Sequence, residues 1–425
     1  MTTETTDPLC LVLPITIPGR PHLLPLEGAE SRGSLGLRPM ALSEAVKEAD
    51  RPCFAILSDD DDLLARGWQL AGRCGLRGSN GAITPMALPL ADGTPGPIVN
   101  GILLSGPESG FEKMYEVLAL SGDPAEGRLA RAGERVLAPP PARDLKWHGG
   151  LLRPARIRQG GRPLVMAILN VTPDSFSDGG RFAEASVAIE RGRELADQGA
   201  DILDIGGEST RPGAEAVGLE EESARVMPVI EGLAGAIPIP MSIDTTKSEV
   251  ARRALAAGAA IINDISGMTM DPMMAPLAAG SETLVILNHI RGLPRTMQES
   301  PDYRHVVLEV LLDLASRVRA VRAAGVDSAR IIIDPGIGFG KRVEDNLSLL
   351  RHLGSISSLG SPVMVGVSRK SFLGALTGRA VAGRGAGTAA AEAIAALAGA
   401  EIIRTHDPAG ARDAIAVAAG LAGGS

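Results

Sequence analysis

Aromatic side chains are scarce in this 425-residue chain: Phe, Trp and Tyr together make up 2% of it. Its core therefore has to be packed from Ala, Val, Leu and Ile, and each Phe is worth locating individually. Cysteine is scarce too. Cys10, Cys53 and Cys74 are odd in number, far apart and without a CxxC spacing, which argues against a disulfide framework or a structural zinc site. No apolar run reaches the roughly 18 residues of a membrane span. The N-terminal stretch has no basic leader, and Pro14 and Pro18 interrupt its apolar run, so the chain reads as a cytoplasmic protein without membrane contact. An excess of positive charge is also lacking. A formal net charge of −8 argues against a general nucleic-acid binder and leaves room for a local cationic pocket.

What is present divides into three parts. Residues 1–137 read as a small α/β accessory region of unassigned function. Leu9–Ile17 and Cys53–Leu57 are strand-like. Ser58 followed by Asp59–Asp62 is a helix start, with the acids suited to the helix dipole. Ile83–Leu90 and Ile98–Leu104 read as strands joined by a Gly/Pro turn, and Phe111–Leu120 as a helix. Residues 138–152, rich in proline and closed by glycines, read as a linker. From 153 to 425 short apolar runs alternate with amphipathic stretches, the rhythm of parallel βα units.

Eight such runs can be counted: Leu164–Leu169, Asp201–Ile205, Ile239–Ile243, Ala260–Asn263, Leu284–Leu287, Ile331–Ile333, Pro362–Val367 and Glu401–Ile403. Eight units over this length match a TIM (β/α)8 barrel. A doubly wound sheet would place a glycine fingerprint after its first strand, where this chain has Asn170-Val-Thr-Pro-Asp174.

In a barrel the chemistry sits at the C-terminal strand ends, and every run here ends in polar or ionisable residues. Helix capping alone would not call for Arg, Lys and His at these positions. The types sort into two sets. Asp244, Asn263 and Asp334 suit the hydrogen-bonding edge of a flat, nitrogen-rich heterocycle, with Lys370 for a ring nitrogen or carbonyl. Arg211, Arg404 and His406 suit a phosphate or diphosphate, and Asn170 can offer its amide oxygen to a hard cation such as Mg2+. The stretch Asp334–Lys341 looks like a phosphate-binding P-loop, but Pro335 and Arg342 stand where Gly and Ser/Thr are required.

These residues lie in stretches that resemble the dihydropteroate synthase family: Asn170-Val-Thr-Pro-Asp-Ser-Phe-Ser-Asp178, Gly206-Gly-Glu-Ser-Thr-Arg-Pro-Gly-Ala214, Ser242-Ile-Asp-Thr-Thr-Lys247, Asn263-Asp-Ile-Ser266, Asp334-Pro-Gly-Ile-Gly-Phe-Gly-Lys341, Ser368-Arg-Lys-Ser371 and Arg404-Thr-His-Asp407. The resemblance covers about residues 153–422. It implies a transferase of folate biosynthesis that joins 6-hydroxymethyl-7,8-dihydropterin diphosphate to p-aminobenzoate and releases diphosphate. It further implies that Asp244, Asn263, Asp334 and Lys370 hold the pterin. Asn170, Arg211, Arg404 and His406 would hold the diphosphate, with Mg2+ on Asn170. Phe176, Thr210, Pro212, Phe339 and Ser371 would shape the p-aminobenzoate pocket. A homodimer is also implied. One departure stands out: Leu287-Asn288-His289-Ile290 replaces the family's usual Leu-Met-His-Met. A methyltetrahydrofolate–corrinoid type methyltransferase and a catalytically silent pterin-binding partner subunit are the competing readings.

Overall fold

The computed structural model describes residues 10–16, 53–58, 61–74, 77–80, 86–89, 95–105, 108–121, 123, 126–127, 129–130, 144–147, 149–172, 180–209, 216–299, 301–303 and 306–423. The chain divides into two compact units near Pro140.

In the first unit the described strands are β1 (Cys10–Thr16), β2 (Cys53–Ser58), β3 (Arg77–Asn80), β4 (Met86–Pro89) and β5 (Pro95–Ser105). Their order is β1-β2-β5-β3, with β4 paired to the other end of β5. All of these pairings are antiparallel. Because β2 and β3 both oppose β5, they run parallel to each other, and helix Asp61–Arg73 makes the crossover between them. That helix starts beside the acidic run and buries Leu63, Leu64 and Ala71 at helical spacing. The expected strands at β1, β2, β4 and β5 and the helix at Glu108–Leu120 are there. Strand β3 was not legible, because Arg-Gly-Ser-Asn has no apolar residue; the long β5 supplies its pairing partner.

The second unit opens on a hairpin, β6 (Leu145–Trp147) and β7 (Gly150–Leu152), paired antiparallel. It lies within the stretch read as a linker. Leu145 and Leu152 are buried against Leu164, Met166, Ile202, Ile261, Leu284, Ile286, Ile332, Met364 and Ile402, with Trp147 alongside. These residues come from seven different barrel strands near their N-terminal ends, so the hairpin plugs the floor of the barrel.

The barrel strands are β8 (Leu164–Asn170), β9 (Ile202–Gly206), β10 (Met241–Asp244), β11 (Ile261–Asp264), β12 (Leu284–Asn288), β13 (Ile331–Asp334), β14 (Met364–Val365) and β15 (Ile402–Thr405). They pair in parallel in the order β13-β12-β11-β10-β9-β8-β15-β14. A parallel bridge between Ile333 and Val363 joins the two outer strands and closes the ring. The eight apolar runs are thus the eight strands. The seventh shrinks to two residues, the narrowest seam in the wall.

The outer helices follow from sequence in the usual way. Helix Leu219–Leu233 begins with Glu220, Glu221 and Glu222, which complement its positive end, and buries Val226, Val229, Ile230 and Leu233. Each such side chain contributes about 2 kcal/mol when taken from water. Helix Pro408–Ala422 has Asp407 as its cap, accepting from the Gly410 amide, and proline in its first turn. Among the described residues no helix is long and apolar enough to cross a membrane.

Candidate active site

Side chains alternate in and out along a strand. The buried cluster that includes Leu164, Met166, Ile202, Ile261, Leu284, Ile286, Ile332, Met364 and Ile402 marks the inner face. Carrying that alternation toward the C-terminal ends puts Asn170, Asp204, Gly206, Asn263, Asn288, Asp334 and Arg404 on the same face. Asp244 pairs in register with Asn263 and joins them. A hydrophobic floor therefore gives way, within one or two residues per strand, to a polar ring at the barrel mouth. Asp264, next to Asn263, points the other way. It accepts from the backbone of Ser266 (2.7 Å) and Met268 (3.1 Å) and ties the following turn.

The ring is held by one cation among acids. Arg404 donates from Nε to Asp204 Oδ2 at 2.7 Å and from Nη2 to Asp244 Oδ2 at 2.6 Å. Asn263 donates its amide to the same Asp204 oxygen at 3.0 Å. Asn263 Oδ1 and Asp204 Oδ1 are buried and meet no partner. Buried acceptors without donors are costly, and at the strand end Asn263 Oδ1 marks where a ligand N–H would be welcome. Burial pushes the Asp244 carboxyl up to about 7, opposed by Arg404 and reinforced by Asp204. Burial also raises Asp334 above the usual carboxylate range.

Asp334 is presented by the loop that follows β13. Its Oδ1 accepts from the Gly336 amide at 2.7 Å. Gly336 has φ +69°, and a Cβ there would lie 1.8 Å from the His289 carbonyl oxygen, so only glycine fits. His289 itself serves this loop: its Nδ1 lies 2.9 Å from Lys341 Nζ, which also donates to the Phe339 carbonyl at 3.0 Å. Burial and Lys341 hold that imidazole well below its usual pKa, so it is neutral and accepts from the ammonium.

Lys370 closes the ring from the β14 side. Its Nζ sits 3.8 Å from the centroid of the Phe339 ring, a cation–π contact. Burial and the nearby Arg404 push its ammonium down to about 8. The preceding Arg369 has φ +57°, a left-handed turn that ends the strand and aims the lysine. Ser368 Oγ accepts from the His406 backbone amide at 3.2 Å and lies 3.0 Å from its Nδ1. Ser371 is exposed at the first position of helix Ser371–Thr377.

The two departures from the family pattern separate spatially. Asn288 is on the inner wall, in register with Asp334, with a buried and unpartnered Oδ1. Ile290 packs with Ile265, Met297 and Phe339 outside that ring.

Asn170, Asp244, Asn263, Asp334, Lys370, Phe339, Arg404, His406 and Ser371 are thus at or beside one end of the barrel. Phe176, Thr210, Arg211 and Pro212 lie outside the described residues. Among the described residues no three His, Cys, Asp or Glu side chains could hold a metal ion. Asn170, half-buried at the end of β8, offers a single neutral oxygen. Two features escaped sequence reading. Asp204 is in mid-strand, where an acid inside the run Ile202–Gly206 is the one available signal. The other is an ion triad in which Lys247 reaches Glu208 (2.5 Å) and Glu222 (2.6 Å), bracing the start of the loop after β9.

Comparison with known proteins gives one answer. Residues 166–406 match the model of a family described as pterin binding enzyme. The dihydropteroate synthase of Synechocystis sp. is 48% identical over 251 residues, 58% of this chain and 86% of that protein. A structure of Xanthomonas albilineans dihydropteroate synthase with 4-aminobenzoic acid superposes with a TM-score of 0.62 at 45% identity, covering 67% of this chain and all of the other. The same protein in complex with 7,8-dihydropteroate gives 0.59 at 43% identity, over 66% of this chain and all of the other. Residues 1–165 precede the family match.

Proposed function

The chain belongs to the pterin-binding enzyme family, and from that premise and its polar ring we infer that it catalyses the dihydropteroate synthase reaction. It condenses 6-hydroxymethyl-7,8-dihydropterin diphosphate with p-aminobenzoate, giving 7,8-dihydropteroate and diphosphate. The observation that carries this reading is the ring itself: two buried acids and an asparagine with an unpartnered oxygen, faced by Lys370 and Arg404.

Asp334, Asp244 and Asn263 would accept the N–H groups of the aminopyrimidinone edge and the reduced ring. Lys370 would donate to the ring carbonyl or a ring nitrogen. Arg404, Arg211 and His406, with Asn170, would hold the diphosphate. An amide oxygen with no carboxylate cluster around it among the described residues fits a Mg2+ that arrives on the diphosphate and keeps most of its own waters. When bound there, that ion supplies charge neutralisation to the leaving group. Phe339 and Ser371, with Phe176, Thr210 and Pro212, would frame p-aminobenzoate.

The chemistry then needs little from the protein beyond placement and charge. The bond between the exocyclic methylene and the diphosphate oxygen breaks, and its electron pair leaves with the diphosphate. The electron-rich dihydropterin supports the electron-poor methylene that remains. The aniline nitrogen forms the new C–N bond and gives up a proton. Being weakly basic, that nitrogen is already unprotonated and needs no dedicated base.

A homodimer is the assembly we propose. Ile394 on helix Gly385–Leu397 and Val417 and Leu421 on helix Pro408–Ala422 are exposed apolar residues that a second copy would cover. Light scattering of the purified chain checks this. We also propose a cytoplasmic location.

The decisive assay supplies dihydropterin diphosphate, p-aminobenzoate and Mg2+ to the purified protein. Dihydropteroate and diphosphate should appear in equal amounts. Pterin binding without diphosphate release would instead identify a silent partner subunit, and a corrinoid requirement would identify a methyltransferase.

A further inference from the structure

Asp204 is a fully buried acid at the centre of β9. It lies on the inner face, one step below Gly206, so it is deeper than the ring at the strand ends. Its Oδ2 accepts from Arg404 Nε (2.7 Å) and Asn263 Nδ2 (3.0 Å), and Arg404 Nη2 lies 2.6 Å away as the rest of the ion pair. No other group in the described site organises two of the binding side chains at once. We propose that Asp204 is a positioning residue that fixes the Asn263 amide and the Arg404 guanidinium in their binding orientations without itself touching substrate.

The chemistry of the contacts gives this content. An asparagine side chain offers a donor at one end and an acceptor at the other, and its environment selects which end faces a ligand. Asp204 accepts only, so it draws the NH2 group of Asn263 downward and leaves Oδ1 as the free end. That oxygen has no partner in the protein. Asn263 is thereby set as an acceptor, the polarity a ring N–H requires. Losing Asp204 would let the amide turn over and present a donor to a donor.

The guanidinium is set by the same carboxylate. Arg404 spans Asp204 and Asp244, one on each of two adjacent strands. With Asp204 holding one side of it, a ligand that engages Asp244 leaves the other side free to meet an anion, while the cation stays in place. The groups that bear on Asp244 are Arg404 from β15, Asp204 from β9, Glu222 from helix Leu219–Leu233 and Asp264 from β11. Lys370, after β14, is also influenced by Asp244. Of these, Asp204 shares the cation with it directly. Removing its negative charge makes Asp244 easier to ionise.

This inference rests on the pterin-binding reading, and wild-type protein tests that reading first: failure to bind 6-hydroxymethylpterin would remove the premise whatever the variants do. Asp204→Asn keeps the shape and removes the charge. The variant should bind 6-hydroxymethylpterin about tenfold or more weakly, the usual effect of disordering a charge-assisted hydrogen bond. Its KM for p-aminobenzoate should stay within about twofold of wild type. The acid limb of kcat/KM for dihydropterin diphosphate should move to lower pH, which a residue that merely supports folding would not cause. The exchanged pair Asp204→Asn/Asn263→Asp puts donor and acceptor back in contact with their places reversed. It should bind the pterin at least about fivefold more tightly than Asn263→Asp alone. Unchanged pterin affinity in Asp204→Asn would overturn the proposal, as would an unmoved acid limb. Should Asp204→Asn fail to fold, the comparison of Asn263→Asp with the exchanged pair decides, and no recovery in the pair overturns the proposal.

Discussion

Asp244→Asn should make the ligand-free protein more stable, and increasingly so as the pH rises. The wild-type carboxyl is pushed from 3.8 up to about 7 by burial, with Arg404 only partly offsetting this. Between those two values the folded protein binds a proton that the unfolded chain has released. Stability contributed by that proton is complete below the unfolded pKa and falls as pH rises, until the folded carboxyl has ionised near pH 7. The slope is about 1.4 kcal/mol per pH unit. From about pH 5 to about pH 8 the wild type therefore loses up to about 3 kcal/mol that an isosteric amide does not lose. At about 2–4 °C per kcal/mol for a domain of this size, the Tm difference between variant and wild type should widen by roughly 6–12 °C. Calorimetry without substrate at the two pH values measures it. The same variant should lose most of its kcat/KM, because the buried acceptor is gone: a stability gain at the cost of function. A Tm gap that stays constant between the two pH values would refute the reasoning, since it would mean that ionisation of Asp244 carries no folding penalty.

Three further outcomes are expected. Lys370, pushed down to about 8, is a strong, charge-assisted donor only when protonated, so kcat/KM for the pterin substrate should fall as pH rises through about 8. Lys370→Arg, which keeps its charge, should move that alkaline limb out of range, and Lys370→Met should abolish turnover. Asn170→Ala should raise the Mg2+ concentration needed for half-maximal rate, and chelation should stop turnover, while binding of a pterin without diphosphate, followed by calorimetry, should change in neither case. Gly336→Ala should be severely destabilising in urea titrations, by several kcal/mol, because its Cβ would collide with a backbone carbonyl at positive φ. Gly160→Ala, also at positive φ but in open space, should cost only about 1 kcal/mol.

The sequence made the barrel legible because each strand is an apolar run that stops at a polar residue, and that transition is a one-dimensional signal. The ring residues were legible for the same reason. Asp204 was not, because nothing local distinguishes an acid that lines a pit from an acid on a strand edge; its inward direction follows only from the parity shared with Ile202. The β6–β7 hairpin was hidden by strand length. Three residues carry no periodicity, and the Pro and Gly around them read as linker. The Lys247 triad was hidden by distance, since its acids lie 39 and 25 positions away in the chain. The substitution at position 288 was visible in sequence, but only the fold separates it from position 290, one beside Asp334 and the other behind Phe339.

The hairpin that plugs the barrel floor has a kinetic consequence. With Leu145 and Leu152 packed across one end, the described part of the pit opens toward the C-terminal strand ends. Traffic through a pit of that shape should be last in, first out. Whatever reaches the deep ring must arrive before anything settles above it, and cannot depart until the upper occupant has gone. Order of addition is then a matter of plumbing more than of affinity. A late-arriving deep ligand would be locked out by an early shallow one, and steady-state inhibition patterns would record the queue.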